Sequence, residues 1–181
     1  MSTTYEIDPA HSHVSFSIRH LMISNVRGVF SGAKGTIVFD PQNPADSSIE
    51  VEIDVNTIST HDTKRDEHLK SGDFFDAAKY STMTFKSKKI EKTGDDEYKV
   101  TGDLTIHGVT KEVTFEISDV SPETTDPWGN IRVGATAKGK INRKDFGLEW
   151  NAPMETGGVL VGNDVKIEMD IQAVKAKSAA A

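Results

Sequence analysis

Apolar and polar residues alternate with a period of two along most of the chain. In the segment SIEVEIDV, Ile49, Val51, Ile53 and Val55 share one face of an extended backbone, and the acidic residues between them share the other. Further segments alternate in the same way: HVSFSI, GTIVFD, MTFKSKKI, EYKVTGDLTIH, KEVTFEIS, IRVGATAKGKI and VKIEMDIQA. The pattern therefore predicts about eight strands.

Residues typical of turns separate the predicted strands, in the ranges 40–47, 92–97, 107–110 and 121–130. Connections this short make neighbouring strands antiparallel. Each strand has an apolar face that must be buried, and the charged faces continue around the set, which favours a closed barrel over a sandwich. The pattern thus predicts an all-β fold, an eight-stranded antiparallel barrel with an apolar interior.

Small residues at inward positions of this barrel favour an internal cavity: Gly102, Ala135, Ala137 and Gly139. The interior of an eight-stranded barrel holds either packed side chains or one small ligand. Because small residues leave space unfilled, we expect room for a ligand.

One segment, residues 60–80, does not alternate. Thr63 followed by Asp66 resembles a capping box with Asp in place of the usual Glu, and Gly72 is a typical helix stop. We therefore predict one short helix over 63–70 and expect a second helical turn over 74–78.

The charge of the chain argues against two classes of partner. The net charge is −7, and no cluster of Lys and Arg offsets it. A nucleic-acid partner is therefore not expected, and a bilayer surface rich in anionic lipid is an equally poor partner. The absence of cysteine excludes disulfides, thiolate metal sites and cysteine nucleophiles. No apolar run reaches the length of a transmembrane segment.

No internal repeat or low-complexity linker divides the chain, so we predict a single domain over 1–181. We expect the ordered part to span residues 4–174 and the C-terminal tail, 175–181, to be frayed. The first residues, MSTTYE, have neither a basic nor an apolar region typical of a signal peptide. Taken literally, this predicts a cytoplasmic protein, whereas a trimmed mature chain would be periplasmic.

The segment HSHVSFSIRH is the first candidate for chemistry. His11 and His13 share one face of a strand, which is a possible start of a metal site. The missing ligands would have to come from His61, His68 or carboxylates, and no spacing supplies them. We expect no metal and no cofactor here, and interpret the two residues as part of a polar face. His20 lies on the apolar face at the strand end, where it needs a hydrogen-bond partner or a ligand head group.

A second cluster of charged residues lies on the predicted helix, in TKRDEHL. Asp66 and Lys70 are i,i+4 neighbours, as are Lys64 and His68. An acid, a base and a histidine within one turn are compatible with acid–base chemistry. We favour a solvated face with ion pairs, or a helix attached to the barrel by Arg65.

Aromatic residues follow in DFFDAAKY and again in RKDFGLEW, where Phe146, Leu148 and Trp150 alternate. They either fix a helix or turn to the barrel or line its pore, and both roles can hold for different residues. The sequence contains no P-loop lysine motif, no G-x-S-x-G and no H-E-x-x-H. We therefore predict that the protein is not an enzyme.

Several long segments resemble the YceI-like family: IDPAHSHVSFSIRHLMISNVRGVFSGAKGTIVFD, STHDTKRDEHLKSGDFFDAAKYSTMTFKS, VTGDLTIHGVTKEVTFEI and INRKDFGL. They follow the family order and cover almost the whole chain. The resemblance implies a lipocalin-like, extended eight-stranded barrel around a long apolar ligand, such as a polyisoprenoid, a quinone or a fatty amide. Proteins of this family are regarded as binding or transport proteins, and many are periplasmic.

The resemblance and the apolar interior together predict binding, transport or storage of a long-chain isoprenoid or acyl lipid. The head-group candidates are Arg19, His20, Arg65 and His68, because the planar guanidinium suits a phosphate or carboxylate. The residues expected to contact the lipid tail are Phe16, Ile18, Phe30, Phe39, Phe74, Phe75, Phe85, Leu104, Phe115, Val133, Trp150 and Met169.

Two alternatives remain open at this stage. One is a metal-dependent hydrolase that uses His11, His13 and His68. The other is a stress-related interaction protein with a filled barrel and no ligand. An exposed strand edge or barrel mouth would also permit a homodimer.

Overall fold

The computed structural model describes residues 1–155 and 159–177. The last strand continues to Lys175, and the backbone N–H of Ala176 donates to the Thr4 carbonyl at 2.8 Å. The chain is therefore still paired at 175–176, where a frayed tail was predicted. The rest of that predicted tail, 178–181, lies outside the described residues.

Over the described residues, the chain forms eleven strands, one α-helix (α1, Thr63–Lys70) and three short 3₁₀ helices. The 3₁₀ helices are Pro44–Asp46, Val55–Thr57 and Arg143–Phe146. The strands are β1 Thr3–Ile7, β2 His13–His20, β3 Ser24–Phe30, β4 Ala33–Phe39, β5 Ser48–Asp54, β6 Thr82–Gly94, β7 Glu97–Ile106, β8 Val109–Ser118, β9 Thr124–Thr125, β10 Ile131–Asn142 and β11 Val161–Lys175.

Eight of these strands form a closed antiparallel barrel in the order β11, β1, β4, β5, β6, β7, β8, β10, with β10 pairing back to β11. The predicted fold class is thereby confirmed. The three strands outside this ring are β2, β3 and β9. Among the described residues, no helix is long and apolar enough to cross a membrane.

The extra strands β2 and β3 extend the barrel at one end. Strand β11 pairs with β1 at residues 173–175 and with β2 at residues 161–170, so β1 and β2 follow the same edge one after the other. In the same way, β4 pairs with β1, and β3 pairs with β2. At two positions around the barrel, two short strands therefore follow one another where the alternation predicted a single strand: β1 with β2, and β4 with β3. This is why the structure has more strands than the alternation predicts.

The helix lies at the residues predicted from the sequence, but its ends are built differently. The N-cap is Asp62, whose carboxylate accepts from the Arg65 N–H at 3.0 Å. Asp66 instead accepts from the N–H and hydroxyl of Thr60. The helix ends at Lys70 with Ser71 as its C-cap, directly before Gly72 as predicted, but Ser71 has an extended backbone and Gly72 does not adopt the left-handed conformation of a glycine cap.

Residues 74–78, for which the sequence predicted a second helical turn, are described by the structure and form no helix. This stretch is a series of hydrogen-bonded turns, in which Phe75 N donates to Leu69 O and Ala77 N donates to Lys70 O, both at 2.9 Å. These bonds fold the turns back onto the last turn of α1. The fold therefore has one of the two short helices that the sequence allowed.

The two ends of the barrel differ. One end carries the β2–β3 turn, α1, the β7–β8 turn and residues 143–155, and we call it the helix end. The other end is filled by a cluster of Ile90, Tyr98 and Val100, against which Phe39 packs with its ring centroid 5.4 Å from that of Tyr98. Because this end is filled, the open space in the barrel lies toward the helix end.

Candidate functional site: an apolar cavity with a cationic end

A cavity of about 280 Å³ lies inside the barrel. Nearly all of its lining side chains are aliphatic or aromatic, and they come from the inward positions of β2, β3, β5–β8, β10 and β11 and from the segments at the helix end. Aromatic pairs form part of the wall, with ring centroids 5.5 Å apart for Phe16 and Phe30 and 5.2 Å apart for Phe85 and Phe115. A cavity with this lining accepts an apolar ligand and disfavours water.

Two glycines in the barrel wall, Gly102 and Gly139, make room for neighbouring aromatic rings rather than for the cavity. A Cβ atom at Gly139 would lie 2.6 Å from Phe115 Cδ1, and one at Gly102 would lie 2.7 Å from Phe85 Cζ. The sequence predicted that these two glycines leave room for a ligand, but the rings of Phe115 and Phe85 lie in the space beside them. Of the two alanines in the same prediction, Ala137 lines the cavity and Ala135 does not.

The polar lining residues are concentrated at the helix end. Strand β2 contributes Arg19 and His20, α1 contributes Arg65 and His68, and Arg143 follows β10. None of the described lining residues is acidic, although the chain as a whole carries a net charge of −7. The cavity therefore has one end rich in hydrogen-bond donors and positive charge, which suits a ligand group that accepts hydrogen bonds.

His68 is held in place by aromatic contacts and by one carboxylate. Its ring packs edge-on against Trp150 and Phe74, with centroid distances of 4.7 and 5.1 Å. Its Nε2 atom lies 2.9 Å from Asp73 Oδ2. The imidazole therefore has a defined orientation at the cavity end before any ligand binds.

Arg65 both attaches the helix and faces the cavity. Its Nε donates to the Thr60 hydroxyl and its Nη2 donates to the Thr60 carbonyl, each at 2.8 Å. Thr60 is buried, and its neighbour Ser59 pairs with Val29 on the free edge of β3. These contacts fix the guanidinium. Arg65 therefore attaches the helix to the barrel, as expected, and also lines the cavity.

Arg143 is the site residue that the sequence did not single out for binding. Its side chain is 2 % exposed, and its guanidinium donates to four backbone carbonyls: Leu148 at 2.5 Å, Gly162 at 2.7 Å, Trp150 at 2.9 Å and Val161 at 3.4 Å.

Among the described residues, no carboxylate forms an ion pair with Arg143, and none of the residues lining the cavity is acidic. Burial accordingly lowers the pKa of this guanidinium. Its position in the INRKDFGL segment carried no spacing signal, and only the fold shows that the side chain is buried against the cavity.

All four head-group candidates from the sequence, Arg19, His20, Arg65 and His68, line the cavity at the helix end. Ten of the tail candidates line it as well: Phe16, Ile18, Phe30, Phe74, Phe75, Phe85, Leu104, Phe115, Trp150 and Met169. The structure does not place Phe39 and Val133 there. Phe39 belongs to the cluster that fills the opposite end, and Val133 pairs with Ala173 near that end.

The three histidines of the metal-dependent hydrolase alternative lie in different parts of the fold. His11 lies in the β1–β2 connection, with its Nδ1 2.8 Å from Asp8 Oδ2, and His13 is exposed at the start of β2. His68 lies at the helix end. Within residues 1–155 and 159–177, no group of three or more His, Asp or Glu residues is arranged to hold a metal ion. The metal site that this alternative requires is therefore not assembled among the described residues.

Comparisons with known proteins agree with this architecture. A family model described as a YceI-like domain matches residues 5–173. Protein YceI of Escherichia coli O6:H1 is 43% identical over 151 residues, which are 82% of this chain and 78% of that protein.

Among solved structures, Burkholderia cenocepacia BcnA matches with a TM-score of 0.80 at 26% identity, over 92% of this chain and 98% of that chain. A polyisoprenoid binding domain from Saccharophagus degradans, implicated in plant cell wall breakdown, matches with a TM-score of 0.68. At 17% identity, over 96% of this chain and 99% of that chain, this likeness shows the shared fold.

Proposed function

The chain belongs to the YceI-like family, and on this premise we propose that its barrel binds a long apolar lipid with the head group at the helix end. The observation that carries the proposal is the division of the cavity into an apolar wall and one cationic end. The name of the Saccharophagus degradans neighbour supports a polyisoprenoid as the tail to test first.

The tail supplies most of the binding free energy in this proposal. Burial of apolar surface contributes about 0.8 kcal/mol per CH₂ group, so a chain of a few isoprene units needs few polar contacts to bind tightly. Part of that gain offsets the loss of translational freedom and the ordering of a flexible chain. The aromatic and aliphatic wall therefore determines affinity, and it discriminates little between tails of similar length.

The head group supplies selectivity. Arg19, Arg65 and Arg143 carry only hydrogen-bond donors, and His20 and His68 each carry at least one. A head group that accepts hydrogen bonds, such as a quinone or amide carbonyl or a phosphate or carboxylate oxygen, satisfies them. A tail that ends in a methyl group gains no such hydrogen bond, so it binds without this contribution.

We propose transport or storage of the lipid rather than its chemical conversion. At the cavity end, the His68–Asp73 pair resembles an acid–base arrangement, and aromatic neighbours hold its imidazole in place. We assign this pair to orienting the head group.

Native mass spectrometry of the purified protein, followed by organic extraction and lipid identification, tests the proposal. We expect one discrete adduct per chain, released as a single isoprenoid or acyl species. After delipidation, the protein should take up one molecule of an added prenylated quinone. An unliganded mass, together with no uptake of prenylated quinone, prenol or fatty amide, would overturn the proposal in favour of a filled barrel without a ligand.

A further inference from the structure

Three consecutive large apolar residues are exposed at the turn between β2 and β3. The exposed fractions of Leu21, Met22 and Ile23 are 38, 54 and 75%. We call Leu21–Ile23 the apolar tip. Contiguous apolar side chains on a surface mark interaction sites, because exposure to water costs free energy that an isolated protein does not recover.

The backbone of the apolar tip is also held in an unfavourable conformation. Leu21 has φ 53° and Met22 has φ 61°, and Ile23 N donates to His20 O at 3.2 Å to close the turn. Two consecutive positive φ angles are typical of hairpin turns with Asn and Gly, and bulky residues seldom adopt them. The chain therefore keeps large apolar side chains at two positions where both hydration and backbone geometry disfavour them.

The apolar tip lies in a segment that carries only positive charge. No Asp or Glu occurs between Asp8 and Asp40, and the β2–β3 hairpin carries Arg19 and Arg27. The third cation of this stretch, Lys34, lies on β4 and pairs with Glu52 at 3.5 Å. Arg19 Nη2 donates to the Met22 carbonyl at 3.4 Å, so its guanidinium lies beside the tip. The net charge of −7 made an anionic bilayer a poor partner for the whole chain, but the local charge of this hairpin is complementary to one.

The apolar tip adjoins the cationic end of the cavity. Arg19 and His20, which precede it directly, line the cavity. The backbone N–H of Leu21 donates at 2.8 Å to the carbonyl of Leu160, another lining residue. A surface on which the tip docks therefore lies beside the end that holds the proposed head group.

We propose that the apolar tip docks the protein on an anionic lipid bilayer by inserting Leu21, Met22 and Ile23 at the boundary between head groups and acyl chains. A stable protein partner needs about 800 Å² on each side, more than a single projecting turn offers. Interfacial insertion needs only a few apolar side chains flanked by cations. Exchange of lipid between this bilayer and the cavity rests on the proposed function, whereas docking itself does not.

Flotation with vesicles tests the docking. The vesicles are phosphatidylcholine with or without about one third phosphatidylglycerol, at roughly 0.1 M NaCl, where surface charge is only partly screened. The test variant is Leu21→Asn/Met22→Gly/Ile23→Thr, which supplies the residues that the turn prefers and removes the apolar surface. The matched control is Trp128→Ser, because Trp128 is 82% exposed and lies between β9 and β10 at the opposite end.

We expect the wild type and Trp128→Ser to float with the anionic vesicles, and the triple variant to bind them at least about tenfold more weakly. The triple variant should melt no lower than the wild type, which separates loss of docking from loss of folding. Lipid supplied in detergent should bind the triple variant with unchanged affinity, while its uptake from vesicles should slow.

Equal flotation of the wild type and the triple variant would overturn the proposal, as would no flotation of the wild type. A wild type that forms dimers while the triple variant stays monomeric, with neither floating, would instead assign the tip to a second copy of the chain. Flotation of a protein that takes up no lipid would leave docking standing and remove the proposed function.

Discussion

The imidazole of His68 packs edge-on against the indole of Trp150, with ring centroids 4.7 Å apart and the planes at 86°. His68 belongs to α1, and Trp150 follows the 3₁₀ helix after β10, so the contact joins two separate elements. Phe74 contacts both rings, at centroid distances of 5.1 and 5.4 Å. The three rings form one aromatic cluster at the cationic end of the cavity.

Replacing Trp150 with alanine should speed the release of bound lipid. The change removes two aromatic contacts, each worth about 0.5–1.5 kcal/mol, and part of the cavity wall. We expect dissociation to be roughly tenfold faster, measured by transfer of a fluorescent prenyl lipid to acceptor vesicles. Trp128→Ala, at the opposite end, is the control that should not change the rate. A Trp150→Ala release rate equal to that of the wild type would contradict the role of the cluster.

The head-group assignment predicts a change in selectivity rather than in total affinity. In Arg65→Met, the preference for a prenylated quinone over a hydrocarbon of equal length should fall about tenfold, because a hydrogen bond from a charged guanidinium contributes about 1.5–3 kcal/mol. In His20→Ala, the preference should fall by less. Competition binding in detergent measures this ratio. Arg27→Met, in β3 outside the cavity lining, is the matched control. Unchanged selectivity in both variants would show that the head group lies elsewhere.

Arg143 should be required for folding as well as for the cavity. Arg143→Met leaves buried carbonyl oxygens of Leu148, Trp150 and Gly162 without their donor, so we expect a loss of at least about 3 kcal/mol in the free energy of unfolding. Arg143→Lys keeps the charge and the donors of one ammonium group. Its stability should therefore lie between those of the wild type and Arg143→Met. Urea denaturation measures both. Equal stability of the Met variant and the wild type would refute the structural part of this assignment.

Gly139 should not tolerate a methyl group. A Cβ atom there meets Phe115 at 2.6 Å, so Gly139→Ala displaces a ring of the cavity wall and costs about 1–3 kcal/mol. Gly134, on the same strand, is the matched control, because its nearest neighbour to a Cβ atom is the Ile171 carbonyl at 3.5 Å. We expect Gly139→Ala alone to lower both the urea midpoint and the lipid stoichiometry. Equal effects of the two substitutions would argue against the close ring contact.

Acid should destabilise the protein by protonating the two carboxylates that accept hydrogen bonds from Arg132. Its Nη1 donates to Asp8 Oδ2 and its Nε donates to Asp126 Oδ2, both at 2.7 Å. The bond from Arg132 lowers the pKa of Asp8 to about 2, and Arg132 likewise holds the pKa of Asp126 well below its usual range. A carboxylate with a depressed pKa in the folded state stabilises the fold fully above its unfolded pKa, about 3.9. This stabilisation is lost as the pH falls through the folded-state pKa.

For Asp8, the expected contribution is roughly 1–2 kcal/mol after allowance for solvent screening. The free energy of unfolding, measured in urea between pH 7 and pH 2.5, should fall mainly below pH 4. In Asp8→Asn, stability at pH 7 should be lower and the decrease with acid smaller. An acid-induced loss as large as that of the wild type would mean that other groups cause it.

The alternation of side chains determined the barrel, because a strand with one apolar face must bury it whatever its neighbours are. The same local rule assigned Phe16, Ile18 and Leu104 to the interior. The break in the alternation, with its helix start and stop signals, predicted the helix at residues 63–70. Arg19 and Arg65 were selected as head-group candidates from their chemistry and the family resemblance. The structure brings both to one cavity end, and their role in binding stays a prediction.

Tertiary structure alone decided how deep each inward residue lies and what fills the space around it. Alternation reports the face of a strand, not its position along the barrel axis, so Phe39 and Val133 were expected on a cavity that stops short of them. The burial of Arg143 depends on carbonyls from two segments that meet only in the fold. The exposure of Leu21–Ile23 depends on where the β2–β3 hairpin ends relative to the barrel. These features follow from strand register and packing between distant segments, which no local pattern encodes.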